Sequence, residues 1–420
     1  MQHKWFNMIL TIVGLYATCV YNAVPICAQS FEFEGKRKKE TIKFTQVKNL
    51  IIIPVYINEK GPYNFLLDTG VGQMIITDTT FAKDLSLVNA RTVKVQGYGL
   101  GEGIEALLTR NIKARVGHAV ISNIPTAVFK NDVFNLSSYL GIKIHGILGY
   151  YFFNSFIVRV NYVGQQISFY QHGSVIKHKG IALPMKIVNA KPYIHAVVNM
   201  PNLINTNINL LVDNGSSHPL MMESIDNKPI PLPRHTIPAN LGVGINGEIK
   251  GAMGRVDSLK ILDLKFAEML AGFPEFSEER NLNDRIQRNG TLGAEILRHF
   301  LVTFDYLHEL LYLKRRSRYQ RKTEHDMSGM EIYIDNETVA GKKQAVERYY
   351  VGRIEKGSPA ELSGMQAGDQ IRSIDFRSIS TYSLNDLNEL LKERDGKQLI
   401  IELQRKKEMV IVILRLKRRI

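Results

Sequence analysis

The feature that most limits how this chain can fold is that it repeats itself. "GILGYYFFNSFIVRVNYVGQQISFY" begins at Gly146 and "GTLGAEILRHFLVTFDYLHELLYLK" begins at Gly290. Each reads Gly-x-Leu-Gly, a short apolar segment, Phe, alternating apolar residues, an Asn/Asp-Tyr pair and a closing strand. The same spacing carries "FLLDTGVGQMII" onto "NLLVDNGSSHPLMM", so Asp68 corresponds to Asp213. Between these landmarks lie two glycine-rich segments, "VQGYGLGEGIEA" and "NLGVGINGEIKGA", again about one period apart. Landmarks in one order at one spacing define a duplicated domain. Two copies of one unit are expected to fold as two lobes related by a pseudo-twofold axis.

The repeated segments are short, rich in Val, Ile, Tyr and Phe, and separated by Gly, Asn and Pro. That pattern predicts a mainly β fold. Helical spacing of apolar residues is confined to short stretches, "TTFAKDL", "GAEILRHF" and "SLNDLNELLKE". A chain of 420 residues with 45% hydrophobic content can build two or three cores. The division expected is 1–30 leader, 31–175 first lobe, 176–318 second lobe and, after a basic linker, 319–420 as a separate domain.

The leader has a basic start at Lys4, the apolar run "FNMILTIVGLYATCVY" and the small-residue exit "AVPICAQS". This is the pattern of a signal peptide cleaved near Ala28 to Ser30. A retained membrane anchor and a lipid-bearing Cys27 are the alternatives. Both cysteines, Cys19 and Cys27, lie here, so a cleaved chain has no thiol catalyst, disulfide framework or Cys-ligated zinc. An exported protein without disulfides fits a bacterial envelope or periplasm. The net charge of +14 sits in runs, "KRKK", "KRRSRYQRK" and "RLKRRI". They read as solvated linkers or tails, with weak attraction to an anionic membrane surface and no nucleic-acid partner.

Asp68 alone, between an apolar strand and a glycine turn, reads as an ordinary turn acid. Duplication changes that reading, because a twofold pair of lobes brings equivalent loops together at the seam. Two carboxylates at about 4 Å, with an effective dielectric near 20, repel by about 4 kcal/mol, equivalent to roughly three pKa units. Such a pair shares one proton over a range of pH. The charged member can take a proton from a bridging water while the neutral one donates to a substrate carbonyl.

At these residues the chain resembles the aspartic proteases of the pepsin/retropepsin group, in which this dyad is well known. "LLDTGVG" and "LVDNGSS", each followed by Gly-x-Leu-Gly, carry the resemblance, which covers most of residues 40–318. It implies two acid-protease β-barrel lobes, Asp68 and Asp213 as the catalytic pair, and no cofactor or metal. It also implies loop-shaping roles for Thr69, Gly70, Asn214, Gly215 and Ser216, with Leu148-Gly149 and Leu292-Gly293 threading behind the loops. The glycine-rich hairpins fall where the family has its substrate-covering flap. Residues 95–104, with Gly97, Tyr98 and Gly99, are the first-lobe flap by analogy, and Gly244 belongs to a second hairpin at 241–249. Two departures stand out. Asn214 replaces the usual Thr or Ser, and Val71 replaces the small residue after the first motif. The implied substrates are extended peptides or unfolded protein segments. A peptide-binding scaffold that has lost catalysis is the competing class.

The last region, "YYVGRIEKGSPAELSGMQAGDQIRSIDF", resembles a PDZ domain of the kind attached to bacterial proteases. PDZ domains bind an extended peptide as an added strand and often capture its C-terminal carboxylate with backbone amides. The corresponding loop is expected at Gly329, Met330 and Glu331, although it departs from the usual Gly-Leu-Gly-Phe type. Docking on the catalytic lobes is the alternative role. Three other motifs carry nothing. "GVGING" would need a strand before it and a helix after it, and the turn-rich "EIKGAMG" follows it instead. "HELLY" has Tyr312 at the second ligand position and is placed in the closing strand of the repeat. "GSSHP" sets Ser216 and Ser217 beside His218 without a nucleophile elbow, leaving His218 as a cleft-wall or surface residue.

Overall fold

The computed structural model describes residues 29–420 except 84, 86, 88, 96–102, 133, 245–246, 277–285, 317–322 and 338–345. The leader therefore lies outside the described residues. In each lobe the strand before the Asp-x-Gly turn is flanked by the Gly-x-Leu-Gly segment. Strand Gly146–Leu148 runs parallel to Lys60–Leu67, with Leu148 opposite Leu67, and antiparallel to Met74–Ile76. Strand Gly290–Gly293 does the same between Leu203–Asp213 and Leu220–Met222, with Gly293 opposite Asp213. The Gly-x-Leu-Gly segments thus thread as expected.

These short central strands read Gly-Ile-Leu and Gly-Thr-Leu-Gly because they are buried on both faces. Glycine is required where they pass the loop. A Cβ on Gly149 would lie 2.0 Å from the Val71 carbonyl oxygen, and one on Gly293 would lie 1.9 Å from that of His218.

A six-stranded sheet joins the lobes, in the order Ile181–Pro184, Leu310–Arg315, Phe300–Asp305, Phe156–Asn161, Gln166–Gln171, Lys39–Lys43. At its centre Arg159 stands opposite Thr303, positions one repeat apart. A residue paired with its own repeat counterpart marks where the pseudo-twofold axis passes. Phe152, Phe153, Phe156, Phe169, Phe300 and Phe304 are fully buried at this junction. Phe153 meets Phe304 edge to face across it, at 5.1 Å, an arrangement that adds about 0.5–1.5 kcal/mol to area burial.

The C-terminal domain is a sheet ordered Met330–Glu337, Val346–Ile354, Gln370–Ile374, Gln398–Arg405, Glu408–Arg415. Its helix Leu384–Leu390 is set by a capping box between Ser383 and Asp386, which satisfies donors at both positions. The helix Pro359–Leu362 starts with Ser358 as N-cap and proline in its first turn. This domain is not a free appendage. Met330, Ile332 and Ile334 join one apolar cluster with Leu50, Leu66 and Ile147 of the first lobe.

The basic C-terminal run, expected to be solvated, is partly tied down. Arg418 pairs with Glu324 at 2.9 Å and Arg419 with Glu355 at 2.6 Å. Placement of "HELLY" is also corrected. His308 and Glu309 occupy the turn after Phe300–Asp305, where His308 Nδ1 meets Asp305 at 2.9 Å, and only Leu310 onward is strand.

Candidate active site

The two repeat-equivalent acids meet at the seam. Gly70 N–H donates to Asp68 Oδ1 at 2.7 Å, and Gly215 N–H donates to Asp213 Oδ1 at 2.8 Å. Each glycine also faces the opposite acid. A Cβ on Gly70 would lie 2.9 Å from Asp213 Oδ2 and 3.1 Å from Asp68 Oδ1. One on Gly215 would lie 2.3 Å from Asp68 Oδ2. Any larger residue at either glycine would drive the carboxyl groups apart.

The loops are fastened to their threading segments in matching ways. Tyr150 N–H donates to the Val71 carbonyl at 2.9 Å, and Ala294 N–H donates to the Ser216 carbonyl at 2.7 Å. Ser216 thus supports its loop through the backbone. Asp68 N–H is held by the Leu148 carbonyl at 2.9 Å.

Across the seam the symmetry is incomplete. Thr69 Oγ1 donates to the Val212 carbonyl at 2.7 Å and accepts from Asn214 N–H at 3.0 Å. In the opposite direction Asn214 Oδ1 accepts from Thr69 N–H at 2.7 Å. Its amide nitrogen, in a fully buried residue, has no hydrogen-bond partner among the described residues. The hydroxyl-to-carbonyl bond is made once, by Thr69, and its mirror image is missing.

The Asp68 carboxyl is raised well above the usual carboxylate range. Burial is the main cause, followed by the facing Asp213 charge; the Gly70 N–H bond and Lys191 act the other way. Two carboxyl groups this close favour sharing one proton over a range of pH. Beneath it lie Tyr162 and Tyr306, the tyrosines of the repeated Asn/Asp-Tyr pair, both fully buried with no hydroxyl partner among the described residues. The Tyr306 phenol is pushed up by burial and then by Asp68 and Asp213. Burial and then Asp213 do the same to Tyr162. At these positions the floor of the site is uncharged. The sequence did signal these tyrosines, as the invariant member of the repeated pair, but gave them no role.

The first hairpin has the stem Arg91–Val95 and Ile104–Val116, with Val95 opposite Ile104. Its tip, with Gly97, Tyr98 and Gly99, lies outside the described residues. The second hairpin, Thr236–Gly244 and Gly247–Ile261, closes with Gly244 opposite Gly247. His218 links this hairpin to the Asp213 loop, its Nε2 donating to the Leu241 carbonyl at 3.0 Å. Burial lowers the His218 pKa, which keeps the ring neutral.

Each lobe also sends a tight turn to the other's loop. A Cβ on Gly72 would lie 3.5 Å from that of Ala190, and Asn49 Nδ2 donates to the Ser217 carbonyl at 3.4 Å and to Glu295 at 2.6 Å. Both turns use consecutive left-handed residues, Lys48-Asn49 and Asn189-Ala190, the conformation of a tight type I′ hairpin. Among the described residues no cluster of His, Cys, Asp or Glu is arranged to hold a metal ion. The proposed PDZ loop residues Gly329, Met330 and Glu331 stand apart from the dyad, at the start of the domain's edge strand.

Residues 53–152 match the family described as aspartyl protease, a span that runs from before Asp68 past Leu148-Gly149. Residues 350–405 match the family described as PDZ domain. The chain thus carries an aspartyl protease domain followed by a PDZ domain. Among solved structures, it is similar to the aspartic proteinase from Irpex lacteus, with 13% identity, a TM-score of 0.37, and coverage of 66% of this chain and 98% of that one. No curated protein matches the chain.

Proposed function

We propose that the chain is an exported aspartic endopeptidase that cleaves extended peptides or unfolded protein segments. The observation that carries this reading is the meeting of two repeat-equivalent carboxyl groups, with Asp68 raised above the usual carboxylate range by burial and by the facing Asp213. With one proton on the pair, the ionised carboxylate takes a proton from a water between the acids as the water oxygen bonds to the peptide carbonyl carbon. The protonated acid donates to the carbonyl oxygen. Collapse of the tetrahedral species breaks the C–N bond: one hydroxyl returns its proton to the acid that donated, and the proton first taken from water passes to the amine. A cleft at the seam between two lobes suits a strand-like substrate. Export rests on the leader in residues 1–30, and the bacterial envelope on the confinement of cysteine to that leader. The excess positive charge supports weak attraction to anionic surfaces.

The test is cleavage of a reduced, unfolded protein by wild type, Asp68→Asn and Asp213→Asn from acidic to neutral pH. Turnover in wild type alone is expected. Equal turnover in all three would remove the dyad from the chemistry. Peptide binding without turnover in the wild type would favour the scaffold reading.

A further inference from the structure

Among the described residues the PDZ domain's edge strand, Met330–Glu337, pairs on one side only, with Val346–Ile354. An added-strand ligand would lie along its open side, beside the helix Leu384–Leu390. In this chain that helix already holds a backbone segment. Asn385 Nδ2 donates to the Gln46 carbonyl at 2.8 Å, and Asn385 Oδ1 accepts from Lys48 N–H at 2.9 Å. One side chain thus reads a carbonyl and an amide of the same first-lobe turn, as a neighbouring strand would. On the strand side, the first-lobe helix Leu136–Leu140 and the glycine after it pack on the sheet edge. Ile334 fills the space beside Gly141, where a Cβ would meet its Cδ1 at 2.4 Å. The Lys48 ammonium lies over the Tyr139 ring at 3.6 Å.

The expected carboxylate hook is also engaged. Asp326 accepts from Ser328 N–H at 2.7 Å and from its hydroxyl at 2.6 Å. Ser328 Oγ in turn accepts from Met330 N–H at 3.1 Å. A carboxylate and a hydroxyl of the chain itself occupy amides that a peptide terminus would need.

We propose that the resident ligand of the PDZ groove is the chain's own turn, residues 46–49, and that an external peptide enters only as an internal extended segment displacing it. The adjacent Asn49 holds the Ser217 carbonyl and Glu295, so displacement loosens the loop that follows Asp213. This inference rests on docking geometry and does not require the chain to be a peptidase.

Hydrogen exchange on the full chain tests it without an activity readout. Asn385→Asp sets a carboxylate against the Gln46 carbonyl. Loss of the bond to Gln46, with a carboxylate now facing that carbonyl, is expected to speed exchange in residues 46–52 and 330–335 together, by about tenfold or more, with Leu203–Asp213 still protected. Unchanged exchange, or a change in only one of the two segments, would overturn the proposal. A second variant, Lys48→Cys with Asn385→Cys in a chain whose Cys19 and Cys27 are serine, is expected to close a disulfide under mild oxidation. A synthetic peptide copying residues 44–52 should bind this protein reduced and not oxidised, equally well with a free or an amidated C-terminus. Failure to cross-link, binding to the locked form, or a requirement for the free carboxylate would each contradict it.

Discussion

In the first lobe, the sheet face behind Asp68 is lined by Leu50, Ile52, Leu66, Ile75 and Ile147, and the PDZ domain covers it. The same positions in the second lobe, read through the strand registers, are Lys191, Tyr193, Leu211, Met221 and Thr291. There Thr291 donates to Glu223, which Arg288 also binds at 2.7 Å. Two copies of one unit thus kept their inner faces, which build the dyad, and diverged on their outer faces. The first-lobe face is apolar at all five positions and is covered by the PDZ domain, while the second-lobe face is mixed, with Met221 packed against Leu241 and Ile249 of the second hairpin and Thr291 held by Glu223 and Arg288. Val71 fits the same account, since it packs against the apolar cluster beside the PDZ domain. The lesson is that duplication constrains the seam more tightly than the periphery.

The strongest way to break the equivalence of the lobes is to neutralise one acid at a time. Asp68→Asn and Asp213→Asn should each lower turnover by about 10²–10⁴-fold, the usual contribution of a positioned acid or base. A variant retaining most activity in a steady-state assay would make the lobes unequal in chemistry. Next comes the outer face. Ile147→Ala should destabilise by about 2–5 kcal/mol in chemical denaturation, as a core truncation does. Thr291→Ala, at the matching position, should lose about 1 kcal/mol, the scale of a hydrogen bond. Equal losses would mean that the PDZ cover adds nothing to the first lobe.

A smaller effect concerns the seam itself. Asn214→Thr restores a hydroxyl that can mirror Thr69 and should stabilise by about 0.5–1.5 kcal/mol. No gain in melting temperature would mean that the missing bond is already compensated. The mildest effect is a slope. Because Asp68 is raised when folded, the native state binds more protons than the unfolded chain between the ordinary aspartate pKa and the raised one. Stability therefore falls as pH rises through that window. Denaturation midpoints measured across it should fall in wild type and flatten in Asp68→Asn.

Much of this was legible in the sequence because the signals were local or periodic. The repeat gave the pseudo-twofold, the paired acids and the threading Gly-x-Leu-Gly segments, and the apolar spacing of "SLNDLNELLKE" marked a helix. The docking of the PDZ domain was not legible. Asn385 meets Gln46 across 339 positions, and nothing in either neighbourhood points to the other. The anchoring of Arg418 by Glu324 was hidden for the same reason, since a charge run looks solvated until its partner is placed. Asn214 was recognised as a departure, but the sequence could not say which of its amide atoms would be used.

The most direct test is a carbon-13 NMR titration of the Asp68 carboxyl in wild type and in Asp213→Asn. A shared proton requires Asp68 to titrate well above the ordinary aspartate range in wild type. Its pKa should then fall by about one unit or more when the facing charge is removed, with burial leaving the remainder. An identical titration in the two proteins would show that the acids do not sense each other, and the dyad would be lost as an explanation.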